Sequence, residues 1–302
     1  MWFKNLRAYR MTRGLDLPIE RIEEALRARL FQACRPTQGQ AVGWVPALGA
    51  DTDALVHSAG GFLLLRLRRE EKILPASVVR ELLEERIKGI EEKQSRKVYR
   101  KEKQSLKEEI VIDCLPRAFS RHSELRLLFD LKNRWVFVDS TSANRAEEAL
   151  NLFRECVGTF PVLPAQTNHA PAAAISGWLA NNTLADDFLL RDECEMREIG
   201  ESASLVRCKG MDLRSDEVLQ HLNAGMQVIR VALEWREQIR FVLGEDLAFR
   251  RIRFADELIK ENDSLTDEDP LARLDADFAL MAPALSELFE RIVGLFGGVE
   301  TD

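Results

Sequence analysis

The chain has 302 residues, 46% hydrophobic and 31% charged, with a net charge of −7, which is enough apolar material for one large or two medium cores and too much for a disordered chain. No window reaches the ~18 uninterrupted apolar residues of a membrane helix, and the start, Met1-Trp2-Phe3-Lys4-Asn5-Leu6-Arg7, lacks a signal peptide's apolar stretch and cleavage site. A soluble, cytoplasmic protein is expected, and an acidic average with a pI near 5.4 argues against one that coats nucleic acid with its whole surface.

The first eleven residues read as a strand, with Phe3, Leu6 and Tyr9 spaced among basic residues. Asp16-Leu17-Pro18 then offers an N-cap before a proline, and Ile19, Ile22, Leu26 and Leu30 recur at helical spacing as far as Phe31. Glycine and proline mark loops around Trp44-Val45-Pro46. Gly60-Gly61 introduces Phe62 to Arg68, an apolar run that begins to alternate and reads as a strand, ending in Glu70-Glu71-Lys72-Ile73-Leu74-Pro75.

From Pro75 to Glu109 good helix formers dominate, with Gly89 the one glycine. This predicts one long helix or two nearly collinear ones, about 50 Å long at 1.5 Å per residue, which would project from the body. Val79, Leu83, Ile87 and Ile90 would hold its first half to a core. Beyond Ile90 only Val98 and Leu106 precede Ile110, so the second half is expected to be solvated or to face a polar partner.

A hairpin is expected from Leu125–Asp130 and Trp135–Asp139, turning at Leu131 to Arg134, and Ser140, Thr141 and Ser142 offer caps for a helix through Cys156. Pro161, Pro164 and Pro171 mark the best boundary between two halves. Strand-like runs follow at Asp187–Arg191, Ser204–Cys208, Val228–Glu234, Ile239–Leu243 and Leu247–Phe254, with a helix near Ser215–Asn223. An acidic link, Asp267-Glu268-Asp269-Pro270, starts a final helical region. The expected architecture is α+β: a body of residues 1–75 with 110–165, a projecting basic helical arm at 76–109, and a second α+β region at 166–302, both halves built on antiparallel sheets.

Signatures of catalysis are mostly absent. There is no Gly-x-x-x-x-Gly-Lys loop, no Gly-x-Gly-x-x-Gly, no His-Glu-x-x-His and no Gly-x-Ser-x-Gly. Cys34, Cys114, Cys156, Cys194 and Cys208 are odd in number and scattered, without a Cys-x-x-Cys pair, and read as small buried hydrophobes of a reducing compartment. Asp51-x-Asp53 near His57 has metal-binding residue types, but fits a polar loop with a helix-capping aspartate equally well. Asp53 with Glu70 and Lys72 faintly resembles the acidic-acidic-lysine set of magnesium-dependent nucleases, and defines an enzyme alternative; its competing reading is a solvated turn leaving the strand.

The informative segment is Lys93 to Lys107, with seven basic residues against one acid, Glu102. It carries +6 in a chain of −7, so everything else carries −13. Lys93, Arg96, Lys97, Arg100 and Lys101 sit at i, i+3, i+4, i+7 and i+8, with Lys107 two heptads from Lys93, and on one unbroken helix would form a continuous basic stripe. Like charges at these offsets repel, and a polyanion would relieve them. The competing reading is a charged helix paired with acids of another element or subunit, which would make the protein a scaffold for an acidic protein partner. Tyr99 is placed to stack on a base, but one aromatic is not a single-strand platform. Arg66, Arg68 and Arg69, and Arg250, Arg251 and Arg253, are weaker clusters, and Arg117 and Arg121 flank Phe119. With no zinc finger or recognition helix, these suit phosphate contact rather than base readout.

Several segments together resemble the recombination-associated protein RdgC family of proteobacteria: Trp2-Phe3-Lys4-Asn5-Leu6 with Tyr9-Arg10, Gly43-Trp44-Val45-Pro46, Glu70 to Pro75, Leu115-Pro116-Arg117-Ala118-Phe119-Ser120-Arg121, and Asp275-Ala276-Asp277-Phe278 with Leu280-Met281. The chain departs from the family pattern at Met226, where a lysine is common, and at Leu274, where phenylalanine is. The resemblance implies a ring-shaped homodimer whose positive hole encircles duplex DNA without sequence preference, limits access of the recombinase RecA, and performs no catalysis. It places the protein in the cytoplasm with the nucleoid, and implies no cofactor or metal. Lys93, Arg96, Lys97, Arg100, Lys101 and Lys107 are then the expected phosphate contacts to duplex and also to single-stranded DNA, with Arg117 and Lys209 as weaker ones. Phe119 is the expected apolar anchor of a second, smaller dimer contact, its competing role being core packing.

Overall fold

The computed structural model describes residues 2–200, 204–260 and 270–300. In chain order they form β1 (Arg7–Met11), α1 (Ile19–Arg27), β2 (Gln40–Val45), β3 (Val56–Ala59), β4 (Phe62–Ile73), α2 (Ala76–Gln94), α3 (Arg100–Cys114), β5 (Phe119–Asp130), β6 (Trp135–Val138), α4 (Ala143–Val157), β7 (Val162–Pro164), α5 (Pro171–Asn181), β8 (Phe188–Arg197), β9 (Leu205–Lys209), α6 (Asp216–Asn223), β10 (Gln227–Trp235), β11 (Ile239–Gly244), β12 (Phe249–Phe254), α7 (Asp256–Lys260) and α8 (Pro270–Leu295). The fold is α+β with antiparallel sheets. Two units divide it: Met1–Leu26 with Pro46–Leu65 and Leu125–Asp302, and Arg27–Val45 with Arg66–Glu124.

In the first unit β6 pairs with both β5 and β1, and β1 also with β7. Leu127, Leu128 and Phe129 of β5 and Trp135 to Val138 of β6 are all buried. Alternate residues of a strand point to opposite faces, so an unbroken apolar run means a sheet covered on both sides. On one side α4 packs Phe153 against Phe129 and Phe160, at ring separations of 5.0 and 4.8 Å. On the other lies α8, whose Phe289 meets Trp135, Phe137 and Phe249 edgewise or tilted at 4.9, 5.3 and 6.0 Å. Phe249 belongs to the second sheet, ordered β12-β11-β10-β8-β9. One helix therefore shares a core with both sheets, and a β-bridge from Leu6 to Phe249, with 2.9 Å hydrogen bonds in each direction, ties the N-terminal segment to it.

The second unit is smaller. Here β2 pairs with Arg66 to Glu71 of β4, Trp44 is fully buried, and α2 and α3 form an antiparallel hairpin: Arg86 of α2 lies 3.7 Å from both Glu109 and Asp113 of α3.

Several expectations are corrected. The first helix ends at Arg27, not Phe31, because the next residues give their backbone groups to a strand: Trp44 N–H donates to Arg29 O and Phe31 N–H to Trp44 O, both at 2.9 Å. Trp44 and Val45 accordingly lie in a strand rather than a loop. The stretch after Pro75 is neither one helix nor a collinear pair. It breaks at Ser95, whose φ of 50° is left-handed, and α3 returns along α2. Each helix is then only ~28 or ~22 Å long, and the second half buries Val98, Leu106 and Ile110 instead of being wholly solvated. Asp53 caps no helix, since the chain runs on into β3. The prolines after Phe160 are absorbed by an edge strand, β7, and by the first turn of α5, where a missing N–H costs nothing. The hairpin at Leu131 to Arg134, the Ser142 cap and four of the five C-terminal strands are where the sequence places them, within a few residues, while β8 runs six residues beyond the expected Arg191. Asp267, Glu268 and Asp269 lie outside the described residues.

Candidate nucleic-acid interface

The basic segment occupies the turn of the helical hairpin. Lys93 stands in the last turn of α2, Arg96 and Lys97 in the connection, Arg100, Lys101 and Lys103 in the first turn of α3, and Lys107 a turn further on; all seven are exposed. The break at Ser95 divides the expected stripe. Cations from two helix ends and the connection between them gather instead around one turn, with Arg100, Lys103 and Lys107 at i, i+3 and i+7 of α3.

One of the seven is neutralised. Arg96 donates to Glu102 through both terminal nitrogens, at 2.7 and 2.6 Å, and through Nε to Gln94 at 2.7 Å. This pairing holds the Glu102 carboxyl below the usual carboxylate range. It takes away the only acid of the segment and clamps the connection to α3. Glu91 of α2 accepts the Val98 N–H at 3.0 Å, a second clamp. Among the described residues the side chains of Lys93, Lys97, Arg100, Lys101, Lys103 and Lys107 have no hydrogen-bond or ion-pair partner. Three of them sit at the N-terminal end of a helix, where the macrodipole disfavours positive charge by roughly 0.3–1 kcal/mol each.

The strand clusters behave otherwise. Arg66 and Arg68 share Glu124, at 3.3 and 2.8 Å, Arg121 pairs with Glu71 at 3.0 Å, Arg250 with Asp246 at 2.7 Å and Arg251 with Glu193 at 2.6 Å. Arginines on the second sheet are likewise met by glutamates, Arg191 and Arg240 by Glu234, and Arg207 and Arg230 by Glu195. Much of their charge is offset within the fold, although Arg253 is exposed and without a partner among the described residues. Arg117, at the end of a short 3-10 turn after α3, is exposed in the second unit, and Lys209, at the end of β9, is exposed in the first. Phe119 opens β5 with 85% of its surface exposed, so it does not pack in a core. Tyr99, at the hairpin connection, is 75% exposed.

The residue types that suggested other chemistry are engaged elsewhere. Glu70 accepts from the Ser120 hydroxyl at 2.6 Å and from the Cys34 N–H at 2.8 Å, and these two bonds keep its carboxyl below the usual range. It lies with Lys72 in the second unit, while Asp53 lies in the first. His57 faces Asp275 at 2.9 Å and packs edgewise on Phe278. Among the described residues no three His, Cys, Asp or Glu side chains gather as metal ligands would. Of the cysteines only Cys194 and Cys208 are buried, facing one another across β8 and β9; burial pushes the Cys194 thiol up to about 12, with Cys208 adding to the shift. Cys34, Cys114 and Cys156 are half-buried, contrary to expectation. Among the described residues no helix is long and apolar enough to cross a membrane.

The family model described as "Putative exonuclease, RdgC" matches residues 1–299. The chain is 42% identical over 300 residues to the recombination-associated protein RdgC of Aeromonas hydrophila, covering 99% of each chain. It is 41% identical over 298 residues to the protein of that name from Sodalis glossinidius, covering 99% of this chain and 98% of that one, and 39% identical over 302 residues, the whole of both, to that of Tolumonas auensis. Four segments that suggested the resemblance contribute structural anchors: Phe3, Trp44 and Phe278 are buried core residues and Glu70 a buried hydrogen-bonded carboxylate. Matched from end to end at such identities, the chain belongs to the RdgC family.

Proposed function

We propose that the protein binds DNA without sequence preference by presenting the α2–α3 turn to the phosphate backbone, and that it does so as a homodimer ring around duplex DNA, limiting the access of RecA. The observation that carries this reading is the contrast in pairing. Most arginines of the sheets pair with carboxylates, whereas Lys93, Lys97, Arg100, Lys101, Lys103 and Lys107 are left unpaired around one helical hairpin of an otherwise acidic chain. Such a cluster is relieved by a polyanion, and an acidic remainder discourages DNA from binding elsewhere. Arg96 shapes the turn through Glu102 rather than meeting phosphate, and Arg117 and Lys209 are secondary contacts. The relatives' name, recombination-associated protein, supports a DNA substrate. Phe119, exposed on the same unit, is the apolar anchor of the ring's second contact.

The test is anisotropy with unrelated duplex and single-stranded oligonucleotides across a salt series. Replacing Lys93, Lys97, Arg100 and Lys101 by glutamate should weaken binding to every sequence alike and flatten the log-log salt dependence, by about 0.9 for each lost duplex contact. Unchanged affinity and slope would remove the assignment. If the unaltered chain fails to bind at physiological salt, the hairpin serves an acidic protein partner instead. The word "exonuclease" in the family description motivates a second reading, magnesium-dependent cleavage of DNA. Linear and supercoiled DNA left intact with magnesium would eliminate it.

A further inference from the structure

We propose that Tyr99 makes the tip of the helical hairpin a stacking site for one exposed base, at a duplex end or an unpaired nucleotide, while Lys97, Arg100 and Lys101 hold the phosphates on either side. The proposal rests on the DNA-binding reading above and names the kind of DNA that the tip selects.

The chain has two tyrosines. Tyr9 is 4% exposed, whereas Tyr99 presents 75% of its surface to water. An aromatic ring offers a large flat apolar face, and one left open to water on a fixed turn is available to a ligand. Its place is fixed from both sides. The preceding residue, Val98, is buried and its N–H is held by Glu91 at 3.0 Å. The connection is closed by the two-pronged Arg96–Glu102 pair, which spans Tyr99 in sequence. A ring held out on a clamped turn gives up little conformational freedom on binding.

The neighbours decide what the ring meets. Lys97, Arg100 and Lys101 are exposed and unpaired among the described residues. Lysine is depleted from protein interfaces, and two of these three neighbours are lysines. An aromatic ring set among unpaired cations is instead the combination that binds single nucleotides, stacking on the base and pairing with phosphate. Because there is one ring and not a row, the site takes one base, not a tract. In continuous duplex every base is already stacked on both faces, so the ring has a partner only where stacking stops.

The experiment uses the full chain and three DNAs of equal length: a relaxed, covalently closed duplex circle, a blunt linear duplex, and a linear duplex with one unpaired nucleotide. Tyr99→Ala should lose about 5- to 150-fold in affinity for the DNA with the unpaired nucleotide, with a smaller loss for the blunt duplex. It should change less than about 2-fold on the closed circle, with the salt slope unchanged on all three, because no charge is removed. Tyr99→Phe should retain the preference. Equal behaviour of Tyr99→Ala and the parent on all three DNAs overturns the stacking site, as does an equal loss on all three. If Tyr99→Ala weakens only capture of poly-glutamate, the tip is a protein site and the proposal falls. Should the four-fold glutamate variant also bind DNA as the parent does, it is the DNA-binding reading itself that has failed.

Discussion

Gly43 lies against the backbone of Phe31 so closely that a Cβ there would come within 2.4 Å of the Phe31 Cα and 2.8 Å of the Leu30 carbonyl carbon. Its φ is not left-handed. Space, not backbone freedom, requires glycine, because residues 29–31 hydrogen-bond alongside β2. Gly43→Ala should push that segment away and lower stability by about 1–3 kcal/mol, seen as a lower urea midpoint; an unchanged midpoint would mean that the segment moves freely. Other residues act by withdrawing charge. Glu102 leaves the hairpin with one fewer acid facing solvent, and Glu124, Glu195 and Glu234 each take up two arginines. Counting charges along the sequence treats all these arginines alike, and only the pairing distinguishes those with charge to spare.

At the scale of elements the α2–α3 hairpin is the least self-evident part of the chain. Helix propensity runs through Gln94 and Ser95 into Arg100 without proline or glycine, so nothing local demands a stop. The turn is produced by what it buries. Folding back covers Val98, Leu106 and Ile110, which a straight helix would leave in water, at roughly 1.5–3 kcal/mol for each large apolar side chain. Against that stands one residue in a left-handed conformation, Ser95. Ser95→Gly should therefore raise stability by up to about 1 kcal/mol, since glycine adopts this conformation without a Cβ clash. Hydrogen exchange of the α3 amides provides the readout, and faster exchange in the variant would show that the serine side chain is needed.

For the molecule as a whole, acid is the informative variable. Asp187 accepts two 2.9 Å hydrogen bonds from Arg291 of α8 and one of 3.2 Å from Trp235 of β10, joining helix to sheet within the first unit. The Arg291 guanidinium holds its carboxyl below the ordinary value, with Trp235 assisting. A carboxylate whose folded pKa is depressed stabilises the fold fully above the unfolded pKa, near 4, and loses that contribution as pH falls through the folded value. Glu70 behaves in the same way through Ser120 and Cys34. Asp139 has the opposite sign, because burial raises its pKa despite the N–H donors of Lys4 and Asn5. Asp187→Asn should lower stability by about 1 kcal/mol at pH 7, the arginine side of the pair being open to water. The difference from the parent should shrink as pH falls toward 3; a constant difference would show that the interaction is not one of charge.

The sequence by itself determined the α+β class, the β5–β6 hairpin, the strands of the second sheet and the family, because these rest on local alternation, turn residues and the identity of buried side chains such as Phe3, Trp44 and Phe278. It also located the charge, since +6 within Lys93 to Lys107 is a property of composition. Only the tertiary structure decided that the helix folds back at Ser95, that residues 29–31 join a strand, and that most arginines of the strand clusters meet carboxylates while six cations of the hairpin do not. Each of these depends on partners distant in the chain. Helical periodicity measures which residues share a face, but it carries no information about which carboxylate, backbone carbonyl or apolar surface will be waiting there.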